Sequence, residues 1–197
     1  MPILKFPVAR VFLLALTLTC AGCATTTVTE TRQQARTLVL TQALEKLSPE
    51  VSHADAAAAA AAAVRFPLQL ARQWHVTPPA IWNNILVNLH IHPEGLCYQW
   101  ADALTVKLMS QHLRTLEIHR GVARLGTARE HSCVVLTAPG QGFATGIALD
   151  AWRHCGKIHF APVSRDQYAW QEVDLIPSYQ AELETAAEKM EAASKQP

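Results

Sequence analysis

The period of the hydrophobic pattern changes along the chain, and this change restricts the possible folds more than any other feature. Residues 29–47 carry apolar side chains at helical spacing, and residues 52–66 follow as an alanine tract with high helix propensity. From residue 131 onward, short runs rich in β-branched residues alternate with turn residues, which is typical of strands. The sequence therefore predicts an α+β domain whose helices precede its strands.

Capping residues and prolines divide the helical part. Pro49 ends the first predicted helix, and Ser52 and Asp55 form a capping pair at the start of the second. Pro67 is expected to kink or stop that second helix, because proline lacks the N–H that a helix interior requires. A further helix is predicted over residues 81–91.

Length and charge limit the number of domains and the classes of partner. The chain has 197 residues, of which 50% are hydrophobic, and this is enough for one globular domain with a core and hardly enough for two. The formal net charge is +1, and acidic and basic residues are mixed along the chain. No segment has the charge of a nucleic-acid or polybasic membrane footprint, so a nucleic-acid partner is not expected.

The N-terminus has the pattern of a secretory signal. Lys5 and Arg10 precede a short apolar run, Val11 to Leu18, and small residues follow it. The segment TCAGC resembles the bacterial lipoprotein cleavage box, which implies removal of residues 1–22 and acylation of Cys23. Cys20 stands where that box commonly has leucine, and an ordinary signal peptide is the alternative.

The residues after Cys23 support a lipid-anchored location in the bacterial envelope. Residues 23–30 are rich in threonine and resemble the tether that connects a lipid anchor to a domain. Ala24 is not the aspartate associated with retention at the inner membrane in lipoproteins. The resemblance therefore implies the outer membrane, with the domain in the periplasm and the membrane as a partner through Cys23.

The number of cysteines left after processing is odd. Cys97, Cys133 and Cys155 would remain in the oxidising periplasm, where an unpaired thiol is either buried or kept free for use. Cys133 lies on a predicted strand and Cys155 lies just after the next strand. We expect a disulfide between these two, which would leave Cys97 as the free thiol.

The stretch GLCYQWA places Cys97 at the start of a predicted helix. Ala101, Leu104 and Leu108 follow on one apolar stripe, with Cys97 in the first turn. Backbone N–H groups at that end favour a thiolate, which is the nucleophilic form of cysteine. A small buried core residue is the alternative role for Cys97.

His131 and Asp150 lie on two predicted strands that are joined by the turn PGQG. One choice of turn places residue 131 opposite residue 148, and the other places it opposite residue 150. Because side chains alternate with period two, both registers place His131 and Asp150 on the same face of the sheet. A carboxylate beside an imidazole fixes its tautomer and supports its charged form, as a Cys-His-Asp relay requires.

GLCYQWA, then EHSCVVL with His131, then GIALDAWRHCG with Asp150, resemble the transglutaminase-like branch of the papain-like cysteine hydrolases and transferases. The resemblance covers roughly residues 82–163. It implies a core in which a helix bearing cysteine packs on an antiparallel sheet, with additional N- and C-terminal helices. It also implies Cys97 as nucleophile, His131 as general base and acid, and Asp150 as the residue that orients His131.

The resemblance further implies chemistry on amides. The site would hydrolyse a peptide or other amide or transfer its acyl group to an amine, and no cofactor is expected. The N–H of Cys97 would stabilise the oxyanion, with Asn83 or Asn84 as candidates for a second donor, and Trp100 would pack under the site. A non-catalytic binding or assembly lipoprotein that keeps the papain-like groove is the alternative function.

A zinc site is the alternative to the relay. His90 and His92 precede Cys97, and imidazole and thiolate are zinc ligands. However, no second ligand pair has the spacing of a zinc finger, so no metal site is predicted. The expected organisation is a signal peptide (1–22), a tether (23–30), a helical N-terminal part (31–80), a catalytic core (81–176) and a C-terminal helix (177–197).

Overall fold

A computed structural model describes residues 30–175 of the chain. The predicted signal peptide, nearly all of the tether and the predicted C-terminal helix lie outside the described residues. Residues that contact one another group into two compact units, Met1–Arg36 and Thr37–Pro197. In the first unit, residues 30–36 are helical. The second unit contains the sheet and the candidate site. No helix within residues 30–175 combines the length and apolar character needed to span a membrane.

Four helices cover the first half of the described chain: α1 (30–45), α2 (His53–Gln73), α3 (Ala80–Asn88) and α4 (Cys97–Met109). As predicted, Ser52 caps α2, and its side chain accepts the N–H of Asp55. Pro67 does not stop α2, which continues for six residues beyond it to Gln73. Pro67 is buried in the core, and this packing offsets the cost of about 3 kcal/mol for proline inside a helix.

Five strands form one antiparallel sheet: β1 (Glu117–Ala123), β2 (His131–Thr137), β3 (Ile147–Asp150), β4 (His159–Pro162) and β5 (Gln171–Val173). Their order across the sheet is β4-β3-β2-β1-β5, so β2 is the central strand. The predicted α+β class, with helices first and strands later, is confirmed.

The register of β2 against β3 differs from both predicted registers. Val134 pairs with Leu149 and Leu136 pairs with Ile147, so the next pair along would place Asp150 opposite Cys133. The predicted pairs were wrong because a 3-10 turn, Phe143–Thr145, lengthens the loop beyond the turn expected from PGQG. The number of residues between the paired Leu136 and Ile147 is ten, which is still even, and His131 and Asp150 therefore lie on the same face as predicted.

The sheet is buried on both faces of β2. On one face, α2 and α4 pack against Val134, Leu136 and Leu149 to form the main core. On the other face, Cys133 and Val135 belong to a smaller cluster with Ala148 and Trp170. His131 and Asp150 share this second face by alternation along their strands.

An ion pair fixes α4 against the sheet. Arg120 of β1 is 4% exposed, and its guanidinium pairs with Asp102 of α4. A second nitrogen of Arg120 lies 3.5 Å from the backbone oxygen of Tyr98, within the first turn of α4. These contacts set the position of the helix end that carries Cys97.

The predicted disulfide between Cys133 and Cys155 is absent: both thiols, like that of Cys97, are free. Cys133 is buried in the smaller cluster, on the face of the sheet opposite α2. Cys155 lies in the turn after β3, whose next residue, Gly156, contacts Pro67 and Ala71 of α2. The two cysteines thus lie in different surroundings, and burial raises the pKa of each.

Candidate active site

Cys97 is the first residue of α4, as predicted. The side chain of Gln99 folds back, and its Oε1 accepts the N–H groups of Gly95 and Leu96 at 2.9 Å each. The indole N–H of Trp100 donates to the carbonyl of Gly95 at 3.0 Å. These bonds fix the turn before the helix, and the thiol is held at the positive end of the helix dipole.

Glycine is required at position 95. Its φ is +130°, a value that L side chains rarely adopt, and a Cβ there would lie 2.2 Å from Nδ2 of Asn83. The turn into α4 therefore passes directly against the side chain of Asn83.

His131 and Asp150 are in direct contact. The Nε2 atom of His131 lies 2.6 Å from Oδ2 of Asp150, and the two residues are 3% and 1% exposed. Asp150 also accepts the backbone N–H of Arg153 at 3.1 Å and its Nε–H at 3.0 Å. The carboxylate thus has three donors, which suits its burial in the charged form.

Cys97 and His131 line the same pocket. Because Nε2 is taken by Asp150, Nδ1 is the ring nitrogen left for the sulfur. The Sγ atom also lies 3.6 Å from the backbone oxygen of Glu130, the residue before His131. The structure therefore places Cys97 beside the pair formed by His131 and Asp150.

The relay contacts shift the pKa values of His131 and Asp150. Burial lowers the pKa of His131, but the hydrogen bond with Asp150 and the interaction with Cys97 outweigh burial and raise this pKa to about 9. Burial raises the pKa of Asp150, whereas the hydrogen bond and charge of His131 lower it, and it lies below its ordinary value. At neutral pH the pair is an imidazolium beside a carboxylate.

Arg153 connects the relay to a second carboxylate. Its NH1 and NH2 groups bind the two oxygens of Asp166 at 3.0 Å each. The indole N–H of Trp170 also donates to Asp166 at 3.1 Å. Burial raises the pKa of Asp166, but these bonds and the charge of Arg153 lower it below its ordinary value. The network holds Arg153, and through it Asp150, in one orientation.

Three aromatic rings surround the imidazole of His131. The ring centroids of Trp152 and Tyr168 lie 4.7 Å from it, and that of Trp170 lies 5.3 Å away. These contacts restrict rotation of the imidazole and keep water from its faces.

Asp166, Tyr168 and Trp170 were missed from the sequence. Their spacing of two in RDQYAWQEV is the signal that could have found them, because it predicts side chains on one face of an extended segment. For Arg153, the sequence indicated no specific carboxylate partner.

A pocket of about 390 Å³ opens beside the relay. Cys97, His131 and Asn84 line it, with Trp152 and Tyr168 as aromatic walls. Arginines at positions 124 and 129 also line this pocket. An acyl group could therefore reach the sulfur next to aromatic and cationic side chains.

The two candidate oxyanion donors have different surroundings. Asn83 is buried, and its Oδ1 contacts the N–H of Thr77 at 3.1 Å and Nδ1 of His92 at 2.8 Å, outside the pocket lining. Asn84 lines the pocket, and its Oδ1 accepts the indole N–H of Trp152 at 2.9 Å. Because that bond occupies the oxygen, the amide NH₂ of Asn84 is the group available to a ligand.

The histidines considered as zinc ligands have other surroundings. His92 is bound to Asn83, and no cluster of three or more metal-ligating side chains occurs within residues 30–175. Trp100 is 2% exposed and packs edge-to-face on Trp74 with ring centroids 4.6 Å apart, which confirms its packing role.

Comparison of the chain with family models, curated proteins and solved structures finds no match.

Proposed function

We propose that this protein performs thiol-dependent acyl chemistry on peptides or other amides, with Cys97 as nucleophile, His131 as general acid and base, and Asp150 as the residue that orients His131. The observation that carries the proposal is the 2.6 Å contact between His131 and Asp150, with Cys97 and His131 lining one pocket. A cysteine, a histidine and a carboxylate in this order form the nucleophile, base and orienting group of a relay.

In the first half of the reaction, the amide bond is exchanged for a thioester. The thiolate form of Cys97 is the nucleophile, and its electron pair attacks the carbonyl carbon. The tetrahedral intermediate collapses, the C–N bond breaks, and His131 transfers its proton to the leaving nitrogen. The products are a Cys97 thioester, a free amine and a neutral imidazole.

In the second half, an acceptor removes the acyl group. Water or an amine attacks the thioester and gives a proton to Nδ1 of His131, and the C–S bond breaks to release the Cys97 thiolate. Water as acceptor makes the protein a hydrolase, and an amine makes it a transferase. Both outcomes restore the starting pair of imidazolium and thiolate.

The N–H of Cys97 and the amide NH₂ of Asn84 are the proposed donors to the oxyanion. Asn84 lines the pocket with Cys97, whereas the Asn83 side chain contacts Thr77 and His92. Donors placed where negative charge develops on the carbonyl oxygen lower the barrier without reorganisation.

The architecture supports a papain-like, transglutaminase-like core. The helix α4 begins with the cysteine and packs against β2, whose first residue is the histidine, and the aspartate ends the neighbouring strand β3. This arrangement agrees with the family resemblance of residues 82–163. The helices α1 and α2 are additions to that core.

The envelope location is part of the same proposal. We expect residues 1–22 to be removed and Cys23 to carry diacylglycerol, which would anchor the domain at the outer membrane facing the periplasm. Mass spectrometry of the mature N-terminus would detect the lipidated cysteine. An intact Met1, or an unmodified N-terminus at another residue, would remove this part of the proposal.

Acylation by an activated ester tests the chemistry without knowledge of the natural substrate. Treatment of the full chain with p-nitrophenyl acetate should release p-nitrophenolate and form an acetyl thioester on Cys97, which acid quenching preserves and peptide mass spectrometry locates. His131→Ala should slow this acylation by about 10²–10⁴-fold. Cys133→Ala, which changes a buried thiol outside the relay, is the matched control and should leave the rate unchanged.

Two results would contradict an enzyme. One is acetylation of Cys97 at the same rate with and without His131, and the other is acetylation no faster than that of Cys155. In either case the pocket would serve binding or assembly.

A further inference from the structure

Two arginines in the pocket have no role in the relay. Arg124 follows strand β1 and Arg129 precedes β2 by two residues, and both line the pocket that contains Cys97 and His131. Both residues are exposed, so their charges are available to a ligand. The proposed acyl chemistry uses neither of them.

Arg124 is held close to the relay. Its backbone has a φ of +56°, in the left-handed region that non-glycine residues rarely adopt. Its guanidinium carbon lies 5.4 Å from the ring centroid of Tyr168, and that ring lies 4.7 Å from the imidazole of His131. Strained backbone of this kind is concentrated at functional sites.

Arg153 provides a comparison, because it also contacts Tyr168, with a guanidinium-to-centroid distance of 4.9 Å. Arg153 is neutralised by Asp150 and Asp166. In the described part of the chain, neither Arg124 nor Arg129 belongs to an ion pair.

The acid nearest in sequence, Glu130, forms no ion pair with either arginine. Glu130 also lines the pocket, and its Oε2 accepts the backbone N–H of Gly126 at 2.8 Å. Within residues 30–175, the two guanidinium groups of the pocket therefore form no ion pair with a carboxylate.

We propose that Arg124 and Arg129 bind a carboxylate of the acyl donor, so that the substrate is an amide with a negative charge close to the scissile bond. This inference rests on the proposed function and names its substrate class. Guanidinium groups bind carboxylates through paired N–H donors in a fixed geometry, and they keep their charge at any physiological pH. The carboxylate is either an acidic side chain or the free C-terminus of a peptide.

Two reagents that differ in charge test the proposal at Cys97. Iodoacetate and iodoacetamide alkylate the same thiolate, but only iodoacetate carries a carboxylate. The ratio of their rates at Cys97, measured by peptide mass spectrometry on the full chain, reports the attraction of an anion to the pocket. The imidazolium of His131 contributes to this ratio in every variant, so the comparison between variants isolates the arginines.

Arg124→Gln and Arg129→Gln should each lower the iodoacetate-to-iodoacetamide ratio by about fivefold, the effect of one unit charge a few ångströms away in water. Added salt should reduce the wild-type ratio toward that of the variants. Arg65→Gln removes an exposed arginine outside the pocket and is the control, for which the ratio should not change. The ratio is compared, and not either rate alone, because loss of a nearby charge also changes the reactivity of Cys97 toward iodoacetamide.

The outcomes separate the two proposals. If iodoacetamide labels Cys97 rapidly and the ratio is the same in wild type and both pocket variants, carboxylate recognition is wrong and the relay stands. If Cys97 reacts with iodoacetamide no faster than Cys155, the relay itself is wrong.

Three short peptides test whether the carboxylate comes from an acidic side chain or from a free C-terminus. The measurement is how strongly each peptide protects Cys97 from iodoacetamide. N-acetyl-Ala-Ala with a free C-terminus carries the terminal carboxylate, N-acetyl-Glu-Ala amide carries the side-chain carboxylate, and N-acetyl-Ala-Ala amide is neutral. Stronger protection by one charged peptide identifies the source. Protection by the neutral peptide equal to that by both charged ones, or no protection by any of the three, counts against the proposal.

Discussion

His131 and Asp150 touch across the sheet as diagonal neighbours. The pairing of Val134 with Leu149, extended by one residue, places Asp150 opposite Cys133, two residues along the strand from His131. Diagonal positions on one face are within reach of long side chains, and here Nε2 and Oδ2 lie 2.6 Å apart. The relay pair therefore depends on register as well as on residue type.

Replacing Asp150 by asparagine should weaken the relay while keeping the fold. The amide cannot hold the charge that raises the pKa of His131, and its NH₂ group faces either the imidazole or Arg153. We expect the acylation rate of Cys97 by p-nitrophenyl acetate to fall by about 10²–10⁴-fold, comparable to or less than the loss in His131→Ala. A rate equal to wild type would show that Asp150 does not orient the imidazole.

Loss of the contact between Arg153 and Asp166 should lower activity indirectly, because Arg153 holds Asp150 in its orientation. Arg153→Met leaves a partly buried carboxylate without its cation, which costs about 3 kcal/mol of unfolding free energy. We also expect the pKa of His131, measured by NMR, to change, because Arg153 donates to Asp150. Arg165→Met, which removes an exposed charge next to Asp166, is the control. Lower stability with an unchanged His131 pKa would mean that Arg153 has a structural role alone.

The two neighbouring asparagines should give different phenotypes. Asn84→Ala should lower kcat for acyl transfer by about 10²-fold with little change in KM, because the donor acts on the developing oxyanion. Asn83→Ala should instead lower the melting temperature, since Asn83 is 1% exposed and accepts the N–H of Thr77. The reverse assignment of the two effects would exclude Asn84 as the donor.

Gly95→Ala should disturb the start of α4. An added Cβ would lie 2.2 Å from Nδ2 of Asn83, and alanine is strained at a φ of +130°. We expect a loss of roughly 2 kcal/mol or more in unfolding free energy, together with slower alkylation of Cys97. Gly140→Ala, at a φ of +72° in open space, is the control for backbone strain without a clash. Equal losses in both variants would show that the contact with Asn83 is unimportant.

The stability of the domain should depend on pH through His131. Its pKa is about 9 in the folded chain and about 6.5 when unfolded, so its stabilising effect is fully present below pH 6.5 and is lost as the pH rises through 9. The expected change is about 3 kcal/mol. Because folding lowers the pKa of Asp150, its contribution is present above its ordinary value of 3.8 and is lost at lower pH.

Urea unfolding from pH 5 to pH 9.5 measures the His131 effect. The free energy of unfolding should fall through the alkaline part of this range, and His131→Asn should remove most of that dependence. A constant free energy from pH 6.5 to 9.5 in the wild-type protein would contradict the raised pKa.

Local patterns in the sequence were sufficient to predict the start of α4 and the shared face of His131 and Asp150. The first followed from the apolar stripe that begins at Cys97, and the second from the even spacing across the loop. The register was not predictable in detail, because the 3-10 turn over Phe143–Thr145 depends on packing against the sheet and not on the residues of PGQG alone.

Strand β1 and the state of the cysteines depend on contacts between distant segments, which local sequence patterns do not predict. Strand β1 was missed because His119 and Arg120 interrupt its apolar pattern, and Arg120 is buried only because Asp102 of α4 neutralises it. The expected bridge between Cys133 and Cys155 was wrong because strand alternation places Cys133 in the cluster away from α2, whereas the turn with Cys155 runs beside that helix.

The tryptophans beside His131 should make changes at the site detectable by intrinsic fluorescence. Trp152 and Trp170 have ring centroids 4.7 and 5.3 Å from the imidazole, and a protonated imidazole quenches indole fluorescence at such contact distances. Their emission should therefore report the charge of His131 and any displacement of its ring. The proposed acyl transfer would then change the tryptophan fluorescence. A single turnover could be followed by stopped-flow fluorescence without a label.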